Sequence, residues 1–369
     1  MKIQSFNNVY KGKKVFITGH TGFKGSWLSQ WLIELGAEVT GFSIDLPSQP
    51  SHFELVDLCH HLHHRLGDIR NREELNKVIQ EASPDIVFHL AAQALVRDSY
   101  ENPKATFDTN VTGTVNLLDC LRHTSTVRAA VLIATDKCYE NKEWEYGYRE
   151  IDPLGGKDPY SASKACAELA FHAYYESFFR SNSRLKIASA RAGNVIGGGD
   201  WAKDRIVPDC VRAWSQNQEV IIRNPQSIRP WQHVLEPLSG YLWLGAQLLQ
   251  NLKGTHGESF NFGSNQETHR TVEQLIKTMQ KTWSNAQWKH HHDETDGKKE
   301  ASTLILNCDR SLSRLNWRST LSFRESVLMT AEWYQNFYQN RTDPKSLTVS
   351  QIQNYQNLAI ERGQAWLMG

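Results

Sequence analysis

Two short segments carry side chains that could act together on a carbon–hydrogen bond. Tyr160-Ser-Ala-Ser-Lys164 sets a phenol and an amine four residues apart, one turn of a helix. An ordinary phenol loses its proton only near pH ~10, so it serves as a base at neutral pH only if its anion is stabilised, and a nearby ammonium does that. Upstream, Ala129-Ala-Val-Leu-Ile-Ala134 reads as a buried strand that delivers Thr135-Asp136-Lys137, adding a hydroxyl, a carboxyl and a second amine. The set suits proton removal from an alcohol and acid–base work at the neighbouring carbons, as on a sugar. A lone Y-x-x-x-K spacing is common on ordinary helices, so its meaning depends on the elements that hold it.

The first of these elements is Lys14-Val-Phe-Ile-Thr18, a β-branched and aromatic run broken at Gly19-His-Thr21-Gly22-Phe23-Lys24-Gly25 and continued by a helical pattern from Ser26 to Leu35. In this strand, turn and helix, Gly19 permits the tight turn, Gly22 lets backbone approach a pyrophosphate, and Gly25 lets the helix pack on the strand. The spacing is G-x-x-G-x-x-G, not the dehydrogenase G-x-G-x-x-G. A second strand, Glu38 to Ile44, ends at Asp45, twenty residues after Gly25, where a carboxylate can accept from a ribose 2′-hydroxyl and repel a 2′-phosphate. That favours NAD over NADP. Asp85 to Leu90 reads as a further strand, ending in Ala91-Ala92-Gln93, small enough for a cofactor to lie across, and Asn110 opens the next helix. Gly67-Asp68-Ile69-Arg70 closes an earlier strand. Asp68 there is either a partner for the adenine amino group or the N-cap of the following helix.

Strands alternating with helices predict an α/β fold, a Rossmann-type doubly wound parallel sheet with a smaller mixed α/β substrate-binding lobe. Residues 1–194 are expected to form the dinucleotide-binding domain, with a return segment at about 231–255. The lobe and C-terminal helices take 195–230 and 256–369. The texture changes after a sixth strand, Arg184 to Ala190: Arg191-Ala-Gly-Asn194-Val-Ile-Gly-Gly-Gly-Asp200-Trp201 is glycine-rich and leads through Arg205-Ile-Val-Pro208 into a helix. Arg205, with Arg229 in the segment Arg229-Pro-Trp231-Gln-His233, offers cations for a diphosphate and an aromatic face for a base or sugar. Either arginine taken singly could equally be a surface side chain. Amphipathic helices follow at Thr271–Met279, Phe323–Met329 and Ala331–Tyr334, and the stretch from Asn340 reads as a mobile or weakly packed tail.

Composition narrows the class of partner. Of 369 residues 40% are hydrophobic and the net charge is +1, so no broad field draws in nucleic acid or an anionic membrane. No apolar stretch approaches the ~20 residues that span a bilayer, and the first residues lack the order of a signal peptide, so a cytoplasmic location is expected. Six scattered cysteines without C-x-x-C pairing fit reduced thiols. His60-His61-Leu-His63-His64 and His290-His291-His292-Asp293 lack the spacing of a metal-binding helix and are expected to be solvated loop or strand-edge residues, so no metal is expected. The polar run ending in Lys298-Lys299-Glu300 is expected to be a solvated face.

Several segments together carry a family resemblance: Thr18-Gly-His-Thr-Gly-Phe-Lys-Gly-Ser-Trp-Leu28, Thr135-Asp-Lys-Cys-Tyr139, Tyr160 to Lys164, Arg191 to Trp201, Arg229-Pro-Trp-Gln-His-Val234 and Trp333-Tyr334. From Lys14 to about Tyr338 the chain resembles the extended short-chain dehydrogenase/reductases, the NAD-dependent epimerase/dehydratase family. Among them it is similar to the CDP-D-glucose 4,6-dehydratases, Lys137 standing where the dTDP-glucose and GDP-mannose enzymes carry Glu. The resemblance implies that Tyr160, with Lys164, removes the C4 hydroxyl proton while Thr135 binds the same oxygen and hydride passes to NAD. It also implies that Asp136, kept protonated by burial, helps water leave from C5 and C6 before hydride returns to C6. Lys137 is either the C5 base, which requires a neutral amine, or a charged stabiliser of an enolate.

The implied cofactor set is Gly19, Thr21, Gly22, Phe23, Lys24, Gly25, Asp45, Asp68, Ile69, Leu90, Ala91, Ala92, Gln93 and Asn110, with Tyr160 and Lys164. The implied substrate set is Gln93, Asn194, Asp200, Trp201, Arg205, Pro208, Arg229 and His233. A homodimer joined through helices near Thr106–Leu121 and Ser161–Phe179 is also implied, with a product leading toward deoxysugars of surface polysaccharide. A nucleotide-sugar 4-epimerase or decarboxylase would share Tyr160 and Lys164 but has no use for an acid at 136. A non-catalytic NAD-binding protein has no need of Thr135, Tyr160 and Lys164 together.

Overall fold

Residues 4–182, 184–264, 269–283, 286–290 and 304–367 are described by a computed structural model. Strand β1 (Lys14–Thr18) is buried at four of its five positions, as a β-branched run covered on both faces should be. Beside it lie β2 (Glu38–Ser43) and then β3 (His63–Leu66); on the other side come β4 (Ile86–His89), β5 (Ala129–Thr135) and β6 (Lys186–Ala192). Ser259–Phe262 completes a seven-stranded sheet beyond β6, and every neighbouring pair is parallel. The order reverses between β1 and β4, which makes this a Rossmann-type doubly wound sheet and puts its ligand crevice at the carboxyl ends of those strands.

Alternation along the strands divides the core in two. Val15 and Ile17 face one cluster with Trp27 and Trp31 of helix Phe23–Glu34 and Leu238 of helix Leu235–Leu249. Phe16 and Phe42 face the other, with Ile79, Leu117 and Phe171 from helices Arg72–Ala82, Gly113–Arg122 and Pro159–Tyr174. The smaller lobe is mixed: helices Ile206–Ser215 and Val272–Met279 sit among three two-stranded pairs, two parallel and one antiparallel. No described helix is long and apolar enough to cross a membrane.

Four expectations are corrected. The return to the main domain runs past residue 255, since Ser259–Phe262, placed in the lobe at 256–369, is an edge strand of the large sheet. Asn110 does not open a helix: it lies in a π-helical segment, Asp108–Thr112, continuous with helix Gly113–Arg122. Phe323–Tyr338 is one helix rather than two. The stretch from Asn340 is not a loose tail, because Pro344–Glu361 is a helix whose Ile352, Tyr355 and Ala359 are buried. Much of its packed face is polar, so no apolar stripe marks it: Gln351 Nε2 donates to the Met329 carbonyl at 2.6 Å, and Gln356 Nε2 to Ser5 Oγ at 2.7 Å.

Candidate active site

β5 ends where its chemistry begins. Thr135 caps the turn Asp136–Cys138, its hydroxyl accepting from the Lys137 amide at 3.3 Å and donating to Asp136 Oδ1 at 2.9 Å. Helix Pro159–Tyr174 starts at Asp158, which accepts from the Ser161 amide at 2.9 Å, with Pro159 at the first helical position. This brings Tyr160 and Lys164 to the sheet end, and both are buried at 8% exposure. The Thr135 hydroxyl lies near the Tyr160 phenol and favours its anion. Lys137 Nζ lies 3.7 Å from Asp136 Oδ1, the carboxyl buried and the amine one-third exposed.

Burial pushes the Tyr160 phenol above its ordinary value, and Lys137, Thr135 and Arg205 pull it back while Asp136 opposes them. The largest downward pull thus comes from Lys137, not from Lys164 as the helical spacing suggests. Lys164 Nζ donates to the Ile133 carbonyl at 3.3 Å, and burial lowers its basicity against the opposing charge of Glu168.

The dinucleotide side is a matter of backbone. Gly19 has φ +77°, and a Cβ there would sit 2.6 Å from the Ala91 amide nitrogen. A Cβ on Gly25 would collide with the Gly19 carbonyl, whereas Gly22 has only that carbonyl nearby, at 3.3 Å. Thr21 Oγ1 donates to the Asp45 carbonyl at 2.6 Å, and Asp45 is exposed at the rim. Asp68 does not cap the next helix. Asn71 does, and Asp68 pairs with Arg70, Nη2 to Oδ2 at 2.5 Å. Ile69 is buried against Gly113. Beyond β4, Leu90, Ala91, Ala92 and Gln93 are half-buried, and Asn110 grips the Gln93 backbone from both sides at 2.8 and 3.1 Å. Gln93 Oε1 is buried with no hydrogen-bond partner among the described residues, an acceptor left over beside the end of β4. These features fit a dinucleotide.

The family described as GDP-mannose 4,6 dehydratase matches residues 16–330. The chain belongs to the GDP-mannose 4,6-dehydratase family. It is 49% identical over 333 residues to CDP-glucose 4,6-dehydratase of Salmonella typhimurium, covering 89% of this chain and 92% of that one. Among solved structures, dTDP-glucose 4,6-dehydratase of Streptomyces venezuelae, determined with NAD bound, superposes with TM-score 0.74 at 23% identity, over 90% of this chain and 99% of that one. An epimerase of Methanothermobacter thermautotrophicus superposes at 0.77 with 23% identity, over 91% and 96%. These two likenesses show the fold.

In this member of the family the expected substrate residues divide. Arg205 reaches the catalytic group: Nη1 pairs with Asp200 Oδ2 at 2.9 Å, and its charge bears on Tyr160. Arg229 is half-buried in a short strand paired with His269–Thr271, and Asn194 is half-buried between β6 and Val195–Ile196. Pro208 is buried in helix Ile206–Ser215. The structure does not bring Trp201 and His233 to the group. Trp201 is buried against Trp333, Tyr334 and Phe337, and His233 is fully buried edge-on to Trp27, its ring driven down to about 3 by burial.

Phe23 lies beside Gly197, and Lys24, expected only beside the dinucleotide, stands closer to the chemistry. Burial lowers it to about 7, Arg205, Lys164 and Lys137 press the same way, and Asp136 opposes. Tyr241, 3.5 Å from Lys24 Nζ and electrostatically coupled to Asp136 and Tyr160, was missed, since nothing in an apolar helix run singles out one tyrosine. Among the histidines, His64 is half-buried and bonds His20 at 2.7 Å rather than standing in solvent. His60 is exposed with Asp57 and Cys59, the one group among the described residues with metal-ligand spacing. His291, His292, Asp293, Lys298, Lys299 and Glu300 lie outside the described residues.

Proposed function

We propose that this chain is an NAD-dependent CDP-D-glucose 4,6-dehydratase, forming CDP-4-dehydro-6-deoxy-D-glucose and water. The observation that carries the reading is one cluster holding a buried phenol, hydroxyl and carboxyl and a part-exposed amine, Tyr160, Thr135, Asp136 and Lys137, with the carboxyl and amine 3.7 Å apart. Tyr160 takes the proton of the sugar's C4 hydroxyl while Thr135 holds the same oxygen. Bound NAD would supply the acceptor for the C4 hydride and its return to C6, so that C4 would end oxidised, C6 reduced and the cofactor unchanged. Asp136 protonates the departing C6 hydroxyl, and Lys137 takes the proton from C5, which the C4 ketone has made acidic.

A second role for Lys137 has its own support: its amine stands 3.7 Å from Asp136 Oδ1 and bears on the Tyr160 phenol, a place from which a charged lysine would steady an enolate. Gly19, Thr21, Gly22, Phe23, Lys24, Gly25, Asp45 and the Leu90–Gln93 segment would hold the dinucleotide. Arg205 and Arg229 would face the diphosphate of the substrate.

The test is to incubate the purified chain with CDP-, dTDP-, GDP- and UDP-hexoses and follow the alkali-induced ultraviolet absorbance of a 4-keto sugar. Product from CDP-glucose without net NADH is expected. A 4-epimer or a decarboxylated sugar would assign it to another reaction of the superfamily, and no change in any sugar would make it a binding protein. Lys137→Glu with full activity would remove the special role of that lysine.

A homodimer is part of the reading, because Phe107, Leu169 and Phe178, on or beside the expected contact helices, are 36%, 57% and 46% exposed. Light scattering giving one chain per particle would refute it. The two-lobe division and a cytoplasmic location complete the reading.

A further inference from the structure

A buried ion pair lies behind the catalytic group and has had no part in the chemistry so far. Glu168 follows Lys164 by one turn of helix Pro159–Tyr174, and Arg191 is in β6; their side chains are 2% and 0% exposed. Desolvating two charges costs several kcal/mol per ion, so such a pair is weak support for stability alone, and its connections are the better guide. Glu168 Oε2 accepts from Arg191 Nη2, from Ser189 Oγ at 3.1 Å and from Ser259 Oγ at 3.2 Å. Arg191 Nη1 donates to the Tyr139 hydroxyl at 2.8 Å, and its guanidinium lies 4.9 Å from the centre of that ring. Tyr139 closes the turn that carries Asp136 and Lys137, and its hydroxyl donates in turn to Asn261 Oδ1 at 2.8 Å. One guanidinium therefore touches the helix bearing Tyr160 and Lys164 and the turn bearing Thr135, Asp136 and Lys137.

We propose that Glu168 and Arg191 are positioning residues, a buried pair that holds the Tyr160 helix in register with the Thr135–Tyr139 turn and keeps Lys164 cationic. The proposal rests on the reaction assigned above. The register link is the chain of contacts from Lys164's own helix through Glu168 and Arg191 to Tyr139. The charge link follows from what surrounds the amine. Lys164 interacts with Glu168 one turn along its own helix, with Cys138 of the turn, with His89 of β4 and with Lys24 of the glycine-turn helix.

Burial raises the Cys138 thiol to about 12 and lowers His89 to about 3, so both are neutral at working pH. Lys24 adds positive charge or none. Burial alone would raise Glu168 as well, but Arg191 and the Ser189 hydroxyl outweigh it and hold the carboxyl ionised. Among these neighbours Glu168 supplies the negative charge that opposes the desolvation of Lys164.

The test uses the full chain with NAD and CDP-D-glucose, reading kcat/KM for C4 oxidation against pH. The alkaline limb marks the loss of the Lys164 proton, and removing the opposing carboxylate should bring it to lower pH. Glu168→Gln should move that limb down by about one pH unit, and Glu168→Asp, which keeps the charge, should restore most of it. The double variant Glu168→Gln with Arg191→Met removes both charges together and should show a smaller shift in the same direction, since losing the Arg191 cation offsets part of the lost carboxylate; it keeps the test available if the single variant fails to fold.

Tyr139→Phe leaves the charges in place and should slow water loss relative to oxidation by about tenfold, seen as reduced cofactor accumulating during turnover. An alkaline limb that stays at its wild-type pH in a folded charge-removing variant overturns the charge link. An unchanged ratio of the two steps in Tyr139→Phe overturns the register link. If wild-type enzyme forms no 4-keto sugar, it is the assigned reaction that fails rather than the pair.

Discussion

The two sides of the crevice are built by different means. On the β1 side, the seat for a dinucleotide is drawn by backbone: a left-handed Gly19, a Gly25 with no room for a side chain, and a Thr21 hydroxyl tying one strand end to the next at 2.6 Å. On the β5 side, the reacting group is drawn by side chains from segments far apart in the chain, among them Lys24, Asp136, Tyr160 and Arg205. A seat shaped by backbone should fail by losing its ligand. A group shaped by side chains should fail in chemistry while the ligand stays.

The sharpest test of that difference is Tyr160→Phe, which should lower C4 oxidation by about 10³-fold or more with NAD still bound, measured as single-turnover absorbance of reduced cofactor. Asp136→Asn comes next: oxidation persists while water loss falls by about 10²-fold, so reduced cofactor should build up with CDP-glucose. Loss of oxidation in Asp136→Asn would merge the two steps assigned to separate residues.

Away from both sides, the buried Glu236 carboxyl is pushed up to about 7 by burial, although it accepts from the Thr320 and Leu321 amides and from Tyr355. Because its folded value lies above the unfolded one of 4.5, the stabilisation is present below that value and lost as pH rises to about 7. A shift of that size is worth about 3 kcal/mol, and Glu236→Gln should flatten the dependence in urea titrations between those limits. The smallest effect is expected on the backbone-built side. Asp45→Ala should weaken the preference for NAD over NADP by about tenfold in cofactor titrations and leave the rate with saturating NAD unchanged.

Legibility in the sequence followed the same division. The glycine turn and the alternating strands were readable because each is written within a dozen consecutive residues. Tyr160 and Lys164 were readable as a spacing, but the strongest pull on the phenol comes from Lys137, which no spacing reveals. Tyr241 and Glu168 were invisible for a related reason: each becomes notable only through a partner far along the chain, Lys24 for one and Arg191 for the other. The helix Pro344–Glu361 was misread because it packs through Gln351, Gln356 and Thr348, whose amides and hydroxyl find buried partners instead of forming an apolar stripe.

That last helix also joins stretches far apart in the chain. Thr348 meets His52 at 3.0 Å and Gln356 meets Ser5, while Gln351 holds the Phe323–Tyr338 helix. One strap thus pins Ser5, the segment after β2 and the Phe323–Tyr338 helix to one another, so Gln351→Ala with Gln356→Ala should lower the unfolding midpoint while leaving the residues of the reacting group in place.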